Sequence, residues 1–271
     1  LVLGNGSDEL IQVITAAIAR PGACVLAPDP TFVMYRIYAM QAHVRYASVP
    51  LHADFMLDVE AFVAEIARQK PALVWLASPN NPTGRAIPAA AIERVLAAAP
   101  GLVVVDEAYA DFAGTTLVPR VLEFPNLVVM RTLSKVGLAG ARLGYAVGHP
   151  AWIGELDKVR SPYNVNALTQ AVVPVVLGAA DTLAAQAAAI RAERGRLAAA
   201  LGAFPGFAVS PSDANFLLVR VPDAPMLASR LRAAGILVKN LHGGHPMTVN
   251  CLRITVGTPA ENDALLAALT K

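Results

Sequence analysis

Four short polar runs in this chain each follow a stretch of apolar residues, and their side chains form a chemically coherent set. Gly4-Asn5-Gly6-Ser7-Asp8-Glu9 follows Leu1-Val2-Leu3. Ser78-Pro79-Asn80-Asn81-Pro82-Thr83-Gly84 follows residues 74–77, and Asp106-Glu107-Ala108-Tyr109 follows residues 103–105. Arg131-Thr132-Leu133-Ser134-Lys135 follows residues 128–130, with Arg142 a short loop further on. A glycine turn ahead of a helix can present backbone N–H groups to an anion. A lysine amine can condense with a carbonyl group, and a carboxylate can stabilise a proton on a neighbouring nitrogen. Each signal is weak alone. Gly4-Asn5-Gly6 lacks the third glycine of a dinucleotide fingerprint and the lysine of a P-loop. Asp106 could hold a metal or cap the next segment, and a lone lysine usually lies on the surface.

The runs acquire meaning from the elements that must carry them. Residues 23–27, 44–49, 72–77, 102–105, 127–131 and 143–147 are rich in Val and Leu without polar alternation, as strands buried on both faces are. Helical patterns lie between several of them. Leu10, Ile11, Ile14, Ala17 and Ile18 recur at helical spacing after Ser7, an expected N-cap, with Asp8 and Glu9 in the first turn. Residues 87–99 form another, closed by Pro100-Gly101. This alternation predicts an α/β domain around a mostly parallel sheet. Ligands of such sheets bind beyond the carboxyl ends of the strands, where all four runs fall. Together they suit pyridoxal phosphate, which needs a lysine for its imine, a carboxylate at its pyridinium nitrogen and an anion pocket.

After Pro162 the texture changes. Residues 167–203 are Ala-rich and helical with a break near 178–181. Strand candidates 207–209, 216–221, 236–239 and 251–256 then surround a helix at 224–234, and Thr258-Pro259-Ala260-Glu261 opens a last helix as a capping box. The expected division is a large domain over 1–180 and a small α+β domain over 181–271. Of the 271 residues 55% are hydrophobic and 15% charged, a composition that buries a core and argues against disorder. The net charge is +2 and no basic stripe interleaves with aromatic residues, so nothing points to nucleic acid. The apolar runs are too short and too interrupted for a membrane span. Cys24 and Cys251 read as buried, reduced thiols. With no signal peptide visible, the expected compartment is the cytoplasm. The chain opens mid-strand in character without an initiator Met, so a preceding segment is expected.

Pro79-Asn80-Asn81-Pro82-Thr83-Gly84, Val105-Asp106-Glu107-Ala108-Tyr109, Thr132-Leu133-Ser134-Lys135 and Gly140-Ala141-Arg142-Leu143-Gly144 occur in the order that marks fold-type I aminotransferases. Pro30-Thr31-Phe32-Val33-Met34-Tyr35, Ser161-Pro162-Tyr163-Asn164-Val165-Asn166 and the run from Asn250 to Thr258 most resemble the histidinol-phosphate aminotransferase family. The resemblance runs from end to end. It implies that Lys135 carries the cofactor and shuttles a proton, and that Asp106 pairs with the pyridine nitrogen. Tyr109 and Asn81 would hydrogen-bond the phenolic oxygen, and Phe32 would lie on the ring face. Gly6, Ser7 and Asp8, with Ser134 and Arg142, would hold the cofactor phosphate, and Thr132 would be a further cofactor-binding residue. The loop from Lys135 to Arg142 is one residue shorter than in many aminotransferases, so Arg142 must reach from a tighter turn.

The same resemblance implies transamination of histidinol phosphate with 2-oxoglutarate, in a homodimer whose site lies at the interface. Arg253 would grip the substrate phosphate, and Asn81 would also face substrate. Lys239 stands where relatives often have a second arginine; it offers a point charge without the bidentate fork. Arg253 could instead sit in a plain ion pair, and Lys239 on the surface. An aromatic amino-acid aminotransferase, a phosphothreonine-type decarboxylase and a truncated or non-catalytic relative share the motifs, although the intact Lys135, Asp106 and Tyr109 set argues against the last. The N-terminal arm of the family, with its tyrosine for the neighbouring subunit's cofactor phosphate, has no match here. No metal is expected: His242 and His245 lie in a Gly/Pro loop without a Cys, Asp or Glu partner nearby. Met34 and Met40 are expected on a core-facing helix surface, Glu107 pointing away from Asp106, and Arg191, Glu193, Arg194 and Arg196 on a solvated helix face.

Overall fold

The computed structural model describes residues 1–270. Seven strands form the larger sheet: β1 (Val2–Asn5), β2 (Cys24–Asp29), β3 (Arg45–Pro50), β4 (Leu73–Ala77), β5 (Leu102–Asp106), β6 (Leu127–Thr132) and β7 (Leu143–Gly148). Their order is β1-β7-β6-β5-β4-β2-β3. Strands β3, β2, β4, β5 and β6 are parallel, while β7 runs antiparallel to both β6 and β1. The carboxyl ends of β1, β4, β5 and β6 therefore share one edge, and β7 begins there, directly after Arg142.

The unbroken apolar strands follow from burial on both faces. Leu73, Trp75, Leu102, Val104, Val128 and Met130 enter one core with α1 (Ser7–Ala17), α2 (Met34–Gln41) and α6 (Pro150–Val159). Val74, Leu76, Val103, Val105, Leu127 and Val129 enter the opposite core with α3 (Val59–Gln69) and α4 (Ala89–Ala98). Successive strand residues point to opposite faces, so every position must be apolar. In α2 the buried face is Tyr35 and Ala39, whereas Met40 is 63% exposed. The expectation that Met40 packs into the core is thus corrected, while Met34 does pack against it, partly buried, as expected.

A short helix, α5 (Ala110–Ala113), follows the Asp106 run. Beyond it α7 (Ala167–Leu177) and α8 (Ala180–Gly202) meet at a 78° bend. Among the described residues no single helix is long and apolar enough to cross a membrane. The second sheet contains β8 (Ala208–Val209), β9 (Phe216–Arg220), β10 (Lys239–Asn240) and β11 (Cys251–Thr255), all antiparallel in the order β10-β11-β9-β8. It packs with α8, α9 (Ala224–Ala233) and α10 (Pro259–Leu269) around Leu197, Leu201, Leu231 and Ile254. Thr258 and Glu261 form the expected capping box on α10. The strand expected over 236–239 is shorter and later, pairing only at Lys239 and Asn240. Cys24 and Cys251 are buried and free.

Arg191, Glu193, Arg194 and Arg196 do more than face solvent. Arg191 donates to Asp111 O, and Arg194 to Phe112 O and Ala214 O. Arg196 pairs with Glu193 and Asp263. Local helical spacing could not show that α8 lies across α5 and beside α10, where these long side chains satisfy carbonyls and carboxylates.

Candidate active site

At the shared strand edge of the larger sheet a cavity opens. Ser7, Asp8, Phe32, Tyr35, Asn81, Asp106, Tyr109, Ser134, Lys135 and Arg142 are among its lining residues. Nine of the eleven expected cofactor residues thus converge on it from five separate chain segments, with Asp106 at its floor; Gly6 and Thr132 stand just outside the lining.

Asp106 ends β5 and is 6% exposed. Its Oδ2 accepts the Tyr35 hydroxyl at 2.6 Å and its Oδ1 the Ala108 N–H at 3.0 Å. Burial pushes its carboxyl up to about 6, against the Tyr35 and Ala108 hydrogen bonds and the Lys135 charge, which all pull it down. Glu107, the next residue, turns away as expected: it accepts from Thr116 Oγ1 and Leu117 N and lies 3.9 Å from the Arg131 guanidinium.

The anion corner is built by β1, α1 and β7. Gly6, not Ser7, occupies the N-cap of α1, with φ +83° and no side-chain cap. The expected Ser7 cap is therefore replaced by a glycine turn, and Ser7 becomes the first helical residue. Its N–H and that of Asp8 belong to the first turn, where intrahelical acceptors are lacking. A Cβ on Gly6 would stand 2.5 Å from Arg142 Nη2, so the arginine packs directly on the turn. Gly144 in β7 permits this approach, since a Cβ there would stand 2.7 Å from Ser7 N. The tight loop from Lys135 to Arg142 is solved by 3-10 turns over Leu133–Lys135 and Ala139–Ala141, with Arg142 itself left-handed at φ +49°. Thr132 lies behind this corner. Its hydroxyl accepts from Ser134 N and donates to Leu143 O, holding the Ser134-Lys135 turn against β7.

The Lys135 amine lies 5.5 Å from the centroid of the Tyr109 ring. Burial raises the Tyr109 phenol to about 12, with the Arg253 charge opposing. Phe32 meets Tyr35 edge-on at 5.6 Å. Asn81 and Phe32 are positioned by a residue not singled out from the sequence. Asn80, 5% exposed, donates to Pro30 O and Thr83 Oγ1 and accepts from Thr31 Oγ1, tying the loop after β2 to the loop after β4. From the other side, Asp213 accepts from Ala86 N and donates its own N–H to Gly84 O.

Arg253 reaches this loop from β11. Its Nη1 donates to Asn81 Oδ1 at 2.6 Å, and its guanidinium lies 5.3 Å from the Phe216 ring centroid. Lys239 is its direct cross-strand partner in the β10–β11 register, and is exposed. His245 lies 3.3 Å from Asp29, and His242 contacts Asn250. Tyr35 was visible only as part of a motif; no sequence pattern marks its hydroxyl as the partner of Asp106.

A lysine without a carboxylate at ion-pair distance among the described residues, a buried acid on the cavity floor and an arginine against a helix start fit pyridoxal phosphate. They match its carbonyl, ring nitrogen and phosphate in turn. The model of the family "Aminotransferase class I and II" matches residues 1–269. The histidinol-phosphate aminotransferase of Chromobacterium violaceum is 55% identical over the whole of this chain, which spans 76% of that protein. Histidinol-phosphate aminotransferase 1 of Burkholderia lata is 56% identical over 99% of this chain and 76% of its own. Among solved structures, histidinol-phosphate aminotransferase from Sinorhizobium meliloti in complex with pyridoxal-5'-phosphate aligns at TM-score 0.86 and 32% identity, over 99% of this chain and 75% of that one. The chain belongs to the class I and II aminotransferases and, within them, to the histidinol-phosphate aminotransferase family. It is an aminotransferase, and its cofactor is pyridoxal phosphate.

Proposed function

We propose that this chain transfers the amino group of L-histidinol phosphate to 2-oxoglutarate, yielding imidazole acetol phosphate and glutamate. The observation that carries the reading is the placement of Arg253. A cation from the small sheet donates to Asn81, which lines the cavity, and so stands next to the place where a phosphate-bearing substrate would need a counter-charge. Lys239, opposite Arg253 in register, would add a second positive charge.

Pyridoxal phosphate, when bound, supplies a reactive carbonyl and a ring that accepts electron density from the substrate. The rest falls to the chain. Ser7 and Asp8 N–H groups, Ser134 and Arg142 would hold the cofactor phosphate. Asp106 would keep the ring nitrogen protonated, and Tyr109 and Asn81 would hydrogen-bond the phenolic oxygen. Phe32 would cover the ring face. The Lys135 Nζ would anchor the cofactor, then shuttle the proton between the substrate Cα and the cofactor C4′.

The reading includes a homodimer. Leu168, Val172 and Val175 form an exposed apolar stripe on α7 at 79%, 51% and 76% exposure, and the nearby Tyr163 is 97% exposed. Such a stripe is suited to a symmetric partner. It also includes a division of the chain near residue 180 and a cytoplasmic location, which two buried free thiols suit.

The test is direct. Full chain loaded with pyridoxal phosphate should show the visible absorption of a lysine-bound cofactor. That band should bleach on adding histidinol phosphate and be absent from Lys135→Ala. Efficient amination of phenylpyruvate with no turnover of imidazole acetol phosphate would overturn the substrate assignment.

A further inference from the structure

Tyr35 is wholly buried, yet its hydroxyl reaches the cavity floor and makes its short bond to Asp106. Three features fix that hydroxyl in place. Tyr35 belongs to the first turn of α2, so its backbone is held by the helix. Its ring stacks on Trp75 at 4.6 Å with planes 2° apart, and Phe32 meets it edge-on. The Trp75 indole N–H, itself buried, has no acceptor among the described residues. An unsatisfied buried donor costs about 1–3 kcal/mol. The indole is therefore retained at this position for its ring surface, the surface on which Tyr35 lies.

We propose that Tyr35 is a positioning residue of the aminotransferase reaction: its buried hydroxyl holds Asp106 in the orientation and the ionised form that the protonated ring nitrogen of the cofactor requires. The proposal rests on the reading of Asp106 as the partner of that nitrogen. The two Asp106 oxygens play different parts. Oδ1 is tied to the backbone at Ala108, and Oδ2 is held by a side chain from helix α2. Without Tyr35 the carboxylate could rotate about its own side-chain bond, and burial would favour the neutral acid. The charged and titratable groups facing this pair are Lys135 from the turn after β6, Asp8 from α1, Tyr109 after β5 and Tyr46 from β3. Lys135 favours the Asp106 charge and Asp8 opposes it. Of the contacts that favour the charge, the Tyr35 hydrogen bond is the strongest.

The experiment compares two probes on full-length chain without substrate. One is pyridoxal phosphate; the other is its deaza analogue, in which a C–H replaces the ring nitrogen. Binding is measured by absorbance titration from pH 5.5 to 8.5 for the wild type, Tyr35→Phe and Asp106→Asn. Tyr35→Phe keeps the ring stack and removes only the hydroxyl. It should weaken pyridoxal phosphate binding at pH 7 about tenfold, leave the analogue unchanged, and move the pH midpoint of the preference upward by about one unit. Equal weakening for both probes would show a merely structural tyrosine, and no change for either would show an idle hydroxyl; both overturn the proposal. If wild type and Asp106→Asn alike bind the two probes equally well, the reading of Asp106 itself fails, whatever Tyr35→Phe does.

Discussion

Arg253 and Asn81 join the two sheets at the mouth of the cavity: a guanidinium on the small sheet donates to an amide oxygen on the loop that ends β4, 172 residues away in sequence. Asn81 lines the cavity and Arg253 does not, so one contact couples the small sheet to the cavity wall. Replacing Arg253 with Lys keeps the charge but loses the planar fork and the packing on Phe216. The expected outcome is a KM for histidinol phosphate raised about tenfold to a hundredfold, with a smaller change in kcat. Steady-state kinetics check this, with 2-oxoglutarate varied separately.

Asp106 predicts a pH dependence of stability. Its carboxyl rises from the ordinary 3.8 to about 6 in the fold. Between these values the folded chain holds a proton that the unfolded chain has released. Stability is therefore full below pH 4 and falls as pH rises to about 6, by up to about 3 kcal/mol for a shift of this size. Asn has no such proton to lose. Cofactor-free Asp106→Asn should gain stability relative to wild type across pH 4 to 6 and hold that gain above pH 7. Urea unfolding at several pH values measures the difference, and a flat difference would remove the buried-acid argument.

Gly6 and Gly114 make an internal control. Both have positive φ, +83° and +73°, but only Gly6 faces another group, Arg142; nothing lies within 4 Å of a Cβ on Gly114. Each change to Ala should cost about 1–2 kcal/mol of stability from the backbone alone. Only Gly6→Ala should also displace the Arg142 guanidinium and weaken pyridoxal phosphate binding by tenfold or more. Thermal midpoints and cofactor titrations on the two variants separate these effects.

Asn80 holds two loops with three side-chain hydrogen bonds while almost wholly buried. Asn80→Ala leaves Thr31, Pro30 and Thr83 groups without that partner. Destabilisation of about 2–4 kcal/mol is expected, with weaker cofactor binding because Phe32 and Asn81 lose their shared anchor. Denaturant unfolding and absorbance titration provide the measurements.

The α7 stripe predicts an association. Val172→Asp places a charge in the middle of the exposed Leu168, Val172 and Val175 row. Sedimentation equilibrium should give a dimer for the wild type and a monomer for the variant. A dimer that survives unchanged would locate the interface elsewhere.

Much of this was legible in the chain itself, for identifiable reasons. The larger sheet could be read because strands buried on both faces admit almost nothing but apolar residues, and the polar runs that end them stand out by contrast. Lys135, Asp106, Asn81 and Arg142 could be placed on one rim because parallel strands put their carboxyl ends together. Helix α2 was less legible: its apolar residues lie on more than one side, and only packing selected Tyr35 and Ala39 over Met40. The 236–239 segment misled because apolar composition does not say whether a neighbouring strand is there to pair with.

The sequence by itself determined which chemical groups are present, which local elements carry them and in what order they reach the rim, since those follow from side-chain periodicity and strand direction. Tertiary structure alone decided the contacts between distant segments. That Tyr35 holds Asp106, that Asn80 ties two loops, that Arg142 rests on Gly6 and that Arg253 meets Asn81 all depend on distances between residues far apart in the chain. Hydrogen bonds and close packing act over a few ångströms of space, and sequence separation carries no record of them until the sheets have packed.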